Sequence, residues 1–182
     1  IISLQDSSLG VIGCGRIGRN FIEKMRPFVK EVIGYDPGVT TPIEGVRMVT
    51  NLDDLLTNCK VISMHAPYMP STHHMISEKE LAKMQKGSIL VNVSRGGLID
   101  EDALVKALES GHLDGAGLDV FEKEPLAEDS VLRHTKNLIV TPHIAWYSQS
   151  AGPRLIQWGF EDAFSLITSG KINNGNFAVG PF

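Results

Sequence analysis

Three glycines, Gly13, Gly15 and Gly18, follow an apolar run and open a segment with helical spacing. No other feature of the 182-residue sequence narrows the fold as much. Leu9-Gly10-Val11-Ile12-Gly13 reads as a short buried strand ending in glycine, as strands of parallel sheets do. From Ile17 to Val29 apolar residues recur at helical intervals, with Ile17, Phe21, Ile22, Met25 and Phe28 on one stripe. The rest of the chain repeats this alternation. Strands are expected at 31–35, 46–49, 60–65, 88–93, 115–118 and 137–141. Helices are expected at 52–56 with Asn51 as cap, at 77–84, at 100–109 with Asp100 as cap and Gly111 as stop, and at 150–168 with Gly170 as stop. Pro153 fits only the first turn of that last helix, whose stripe is Ala151, Leu155, Trp158, Phe164 and Ile167. Strands alternating with crossover helices specify an α/β fold with a doubly wound parallel sheet. The polar, Gly-rich tail from Asn173 is expected to be loose.

The glycine turn carries more than topology. It has a strand before it, an amphipathic helix after it, and an acid, Asp36, at the end of the next strand, 18 residues beyond Gly18. The dinucleotide-binding fingerprint places its acid about 20 residues on. Gly13 allows the tight turn, Gly15 lets a pyrophosphate approach the backbone, and Gly18 lets helix and strand pack closely. The helix N-terminus offers unpaired N–H groups to phosphate, with Arg16 and Ile17 in its first turn. A carboxylate at Asp36, followed by Pro37, suits an adenosine ribose and repels a 2′-phosphate, so NAD is favoured over NADP. A turn that merely connects strand and helix, or a site for another nucleotide such as a methyl donor, are the competing readings. The expected class is therefore a Rossmann-type dinucleotide-binding domain.

Composition bounds the remaining choices. A length of 182 residues suits one domain, with its core at about 8–170. The net charge of −4 gives no basic footprint, so nucleic acid and anionic membranes are not expected partners. No apolar run reaches the roughly 18 residues of a membrane span, and the start of the chain lacks the pattern of a signal peptide. Cys14 and Cys59 match no disulfide framework or metal spacing and read as small buried residues in a reducing, cytoplasmic setting. No metal site is expected. The first residue is not Met, which points to an excised piece of a longer chain.

Arg95, Glu124 and His143 lie far apart in sequence, yet each follows an expected strand. In an open parallel sheet the C-terminal strand ends share one crevice. The segments around them resemble a known family. Val93-Ser94-Arg95-Gly96-Gly97-Leu98-Ile99-Asp100 is similar to the second signature of the D-isomer-specific 2-hydroxyacid dehydrogenases. Gly117-Leu118-Asp119-Val120-Phe121-Glu122-Lys123-Glu124-Pro125 is similar to their third, and Thr141-Pro142-His143-Ile144-Ala145 to their catalytic histidine segment. With the glycine turn, the resemblance covers about residues 8–170. It implies hydride transfer between a nicotinamide and C2 of a small-molecule 2-hydroxy or 2-keto acid. His143 would be the acid/base, Glu124 its orienting carboxylate, and Arg95 the substrate clamp. It further implies cofactor contacts at His65, Ala66, Pro67, Thr72, Val93, Ser94, Asp119 and Ala145, with Arg95 and His143 also touching the cofactor, and a homodimer.

Other residues read more plainly. His73 and His74 read as a solvated pair, and His112 and His134 as surface. Ala145-Trp146-Tyr147-Ser148 resembles the C-terminal-binding-protein corepressors, which makes a cofactor-sensing, dimerising binding module the alternative to an enzyme. Trp146 beside the histidine would wall the pocket with an apolar face and select a bulky or apolar substrate. Family members also carry a substrate-binding domain built mostly from residues before the glycine turn. This chain has about ten residues there, against the roughly 100 a domain requires. The expectation is a chain that binds NAD but turns over poorly.

Overall fold

The computed structural model describes residues 3–172, so the tail from 173 onward lies outside the described residues. The chain divides into two compact units, Ile1–His143 and Ile144–Phe182.

The first unit is a seven-stranded, all-parallel sheet: β1 (Ser8–Ile12), β2 (Glu31–Tyr35), β3 (Val46–Val49), β4 (Val61–Met64), β5 (Ser88–Asn92), β6 (Leu113–Leu118) and β7 (Leu138–Val140). Their order is β3-β2-β1-β4-β5-β6-β7, so the winding reverses between β1 and β4. In open α/β sheets the crevice at such a switch point is where ligands bind.

Helices α1 (Arg16–Met25), α2 (Leu52–Asn58), α3 (Glu78–Lys83) and α4 (Glu101–Glu109) cover the sheet. The period-2 alternation of β1 shows how. Leu9 and Val11 pack with Ile22 of α1 in one apolar cluster. Ile12 packs with Leu55 and Leu56 of α2, Leu81 of α3 and Leu104 of α4 in another. Burying each such aliphatic side chain contributes about 1.5–3 kcal/mol. Gly10 is small because α2 presses on it: a Cβ there would meet Leu55 Cδ2 at 2.6 Å. Asn51 and Asp100 cap α2 and α4, accepting from the N–H groups of Asp53 and Ala103 as their sequence positions suggest.

Some boundaries differ from expectation. The first helix ends at Met25, and Arg26–Phe28 continues as a 3-10 turn with Pro27 near its start. Proline cannot donate to a continuing α-helix. Ile17 and Phe28 are exposed rather than part of the buried stripe. β6 begins two residues earlier than expected, and Asn137 is a left-handed turn residue with φ 59° rather than the first residue of β7.

The second unit contains α5 (Ala151–Ser169). Gly170 ends it in the left-handed conformation with φ 69°, its N–H donating to the Leu166 carbonyl, as a C-terminal glycine should. Pro153 does lie in the first turn.

Candidate functional site

The glycine turn is built as its spacing requires. Gly13 sits at φ 92°, a region open to glycine and strained for other residues. A Cβ on Gly18 would collide with the Gly13 carbonyl oxygen, which is why helix and strand can pack so closely here. Gly15 is different, because a Cβ there would meet no atom within 4 Å. Nothing within the protein explains this glycine, and open space lies above it. Gly15 is also the N-cap of α1 and has no side chain to satisfy the first amides, which remain available to an anion. Asp36 Oδ2 accepts the Cys14 N–H and Oδ1 the Gly38 N–H, both at 2.8 Å, so the acid ties the turn to the end of β2. Each oxygen keeps accepting capacity for a ribose hydroxyl.

Around this turn lies a cleft of about 580 Å³ at the β1/β4 switch point. It is lined by Gly15, Arg16 and Ile17 after β1, by His65, Ala66, Pro67 and Tyr68 after β4, and by Val93, Ser94 and Arg95 after β5. Nine of the residues expected to touch cofactor thus converge. The exposure of Ile17 has its reason here, since it faces the cleft rather than the core. His65 Nε2 lies 2.9 Å from Ser63 Oγ, its Nδ1 is buried without a partner, and burial holds the ring below the ordinary imidazole range. His65 lines the cleft. Buried Cys14 has its thiol pushed up to about 11, chiefly by burial and then by Asp36, and burial pushes Cys59 up to about 12.

Next to the cleft is a cavity of about 450 Å³ that holds Arg95, Glu124 and His143 together. His143 Nδ1 and Glu124 Oε2 are 2.7 Å apart. Because a carboxylate can only accept, Nδ1 carries the proton and Nε2 is the nitrogen that exchanges one. Glu124 Oε1 accepts the Phe121 N–H at 3.1 Å. The bond to His143, helped by Phe121, His143 and Arg95, holds the Glu124 carboxyl below its ordinary range against a partial desolvation effect. His143 has φ 54°, the left-handed region, and its N–H donates to the carbonyls of Asp119 (2.8 Å) and Thr141 (3.0 Å). Such strain persists where surrounding bonds over-determine it.

Several of the expected contacts are not among the residues lining the cleft. Asp119 is only 3% exposed; its carboxylate accepts from Thr141 Oγ1 at 2.5 Å and its N–H donates to the Asn92 carbonyl. The Thr72 hydroxyl bonds to the Pro67 and Met69 carbonyls and accepts the Met69 N–H, bracing the 67–72 loop. Pro37 is exposed beyond Asp36 and does not line the cleft. Ala145 and Trp146 belong to the second unit. His73 and His74 are not merely solvated: their rings stack at 3.8 Å, and His74 Nε2 lies 2.5 Å from Glu122 Oε1. His112 Nε2 bonds to the Leu81 carbonyl at 3.0 Å.

Tyr68, which lines the cleft, and Asn92 escaped the sequence reading. Asn92, fully buried at the end of β5, donates from Nδ2 to the Arg95 carbonyl (2.8 Å) and accepts the Ser94 N–H on Oδ1 (3.0 Å). It brackets the loop that presents Arg95. The only signal was a polar residue closing an apolar strand.

The family model described as "D-isomer specific 2-hydroxyacid dehydrogenase, NAD binding domain" matches residues 1–145. The chain belongs to this family of NAD-binding domains. It is similar to the D-3-phosphoglycerate dehydrogenase of Methanocaldococcus jannaschii, 42% identical over 145 residues that cover 78% of this chain and 28% of that protein. It is similar to the glycerate dehydrogenase of Methylorubrum extorquens, 39% identical over 176 residues that cover 96% of this chain and 54% of that one. Among solved structures, a glyoxylate reductase from Paecilomyes thermophila superposes with a TM-score of 0.86 at 35% identity, covering 94% of this chain and 52% of that one. The chain spans about half the length of the glycerate dehydrogenase and less of the phosphoglycerate enzyme.

Proposed function

We propose that this chain is the cofactor-binding half of an oxidoreductase that interconverts D-2-hydroxy acids and 2-keto acids with NAD(H). The observation that carries the reading is the His143–Glu124 pair sharing a cavity with Arg95, directly beside the cleft over the glycine turn. When bound there, NAD(H) supplies the acceptor or donor of a hydride at C2. The chain's own residues do the rest. His143 Nε2 takes the C2 hydroxyl proton on oxidation and returns it to the keto oxygen on reduction. Glu124 keeps Nδ1 protonated and stabilises the imidazolium. The Arg95 guanidinium offers its fork to the substrate carboxylate. The first amides of α1 receive the pyrophosphate, and Asp36 holds the ribose and discriminates against a 2′-phosphate. Thr72 and Asp119 serve by bracing the 67–72 loop and the His143 segment.

The substrate-facing half of the site is proposed to come from polypeptide outside residues 1–182, in keeping with the share of the relatives that the chain spans. A homodimer is supported by the sheet face opposite α3 and α4, where Ile89 and Val91 are only partly covered and Ile139 is 72% exposed. A cytoplasmic setting fits the two buried, protonated thiols. Among the described residues no helix is long and apolar enough to cross a membrane. None of the relatives cited above is named as a corepressor.

The test pairs binding with turnover. NADH should bind, seen as enhanced nicotinamide fluorescence, in wild type and still in His143→Ala. In the full-length protein, reduction of 2-keto acids should be lost in the variant. Turnover retained in His143→Ala overturns the mechanism.

A further inference from the structure

The cavity that holds Arg95 and His143 has a second, polar wall made by Tyr68 and His73. Tyr68 also lines the cofactor cleft, so its ring stands where the two spaces meet. Contacts fix it there. The ring rests on Gly97, where a Cβ would meet Tyr68 Cε2 at 2.6 Å. The Tyr68 hydroxyl is 3.1 Å from His73 Nδ1, with the rings edge to face at 5.9 Å. His73 stacks on His74, which pairs with Glu122 and donates its N–H to the Gly97 carbonyl at 2.8 Å. The phenol is therefore held at the edge of the reaction cavity by neighbours that play no part in the proton transfer.

We propose that Tyr68, positioned by His73, determines substrate specificity by hydrogen-bonding a polar substituent on C3 of the acid. The preferred class is then 3-hydroxy-2-keto acids and the matching 2,3-dihydroxy acids, over acids with alkyl side chains. The proposal rests on the functional reading above and names its substrate class.

A phenol has one donor and lone pairs to accept. If Tyr68 donates to His73 Nδ1, its oxygen accepts from the C3 hydroxyl. If Nδ1 carries the proton, the phenol donates to that hydroxyl instead. Either tautomer leaves a partner for a substrate hydroxyl, while an alkyl group would strip water from the phenol and return nothing. Tyr68 is 49% exposed, so the discrimination is that of one partly solvated hydrogen bond, about tenfold. Read from sequence, Trp146 points to an apolar substrate; on the side of Tyr68 and His73 the cavity also offers polar atoms.

The test uses the full-length protein, with its substrate-facing half, loaded with NAD⁺, which cannot reduce a keto acid, and calorimetric titration with hydroxypyruvate and pyruvate. Hydroxypyruvate should bind about tenfold more tightly. Tyr68→Phe keeps the ring on Gly97 and removes only the hydroxyl, so it should bring hydroxypyruvate to within about twofold of pyruvate. A wild type without preference, or a preference that survives Tyr68→Phe, overturns the proposal while pyruvate still binds. If neither acid binds the loaded full-length protein, the functional reading itself fails, and the specificity proposal with it.

Discussion

Replacing Gly15 with alanine separates what the glycine turn does for the fold from what it does for a ligand. Gly15 has φ −73° and ψ −160°, extended backbone outside the left-handed region that favours glycine, and its Cβ would touch nothing within 4 Å. Alanine restricts the unfolded chain, which stabilises by about 0.4–1 kcal/mol. It is a poorer N-cap than glycine, which costs about 0.5–1 kcal/mol. The two effects offset, so thermal unfolding should move by less than about 4 °C, at roughly 2–4 °C per kcal/mol for a domain of this size. Cofactor binding has no such offset. The methyl group occupies the space over the first turn of α1 and pushes a pyrophosphate off the amides there. Two charge-assisted hydrogen bonds at about 1.5 kcal/mol or more each come to about 3 kcal/mol, or roughly a hundredfold in affinity. NADH fluorescence titration and thermal unfolding on one preparation measure both. Gly18→Ala is the contrast, because its Cβ overlaps the Gly13 carbonyl and the fold itself should lose about 3 kcal/mol or more. A Gly15→Ala chain that binds NADH within threefold of wild type refutes the reasoning.

Asn92→Ala should lower stability by about 2–4 kcal/mol in urea unfolding, because it leaves the Arg95 carbonyl and the Ser94 N–H without their buried partner. A loss below about 1 kcal/mol would show that the bracket is not what holds the loop. The Glu124 carboxyl, followed by ¹³C NMR, should titrate below the usual value of about 4.3 and rise toward it in His143→Ala. A carboxyl whose folded value is depressed contributes stability above its unfolded value and loses it as pH falls through the folded one, so the pair should come apart only in acid below the ordinary carboxylate range. A wild-type midpoint at or above the ordinary value would refute the ion pair.

The glycine turn was legible because each of its constraints is local: an apolar strand before it, a helix after it, and an acid one strand on. Arg95, Glu124 and His143 were legible for a related reason, since every parallel strand delivers its following loop to the same edge of the sheet. What sequence could not show is long-range pairing of polar groups. His74 looked solvated because its partner, Glu122, is 48 residues away. Asn92 was hidden by its strand, whose apolar run draws attention to Leu90 rather than to the amide at its end. The early finish of α1 follows from Pro27, a residue visible in the sequence but outweighed by the apolar stripe that continues to Phe28. Ile17 belonged to that stripe by spacing alone, and only the position of the cleft shows why an isoleucine there stands in the open.

Gly96 lies so close to the Phe121 backbone that no Cβ fits between them. The loop carrying Arg95 and the loop carrying Glu124 therefore meet main chain to main chain, and the spacing between the clamp's backbone and that of the orienting carboxylate is set like a fixed gauge. A longer substrate cannot be admitted by spreading these loops. Any change in the acids accepted has to arise at positions outside the gauge, and an insertion in one loop is tolerable only with a matching change in the other.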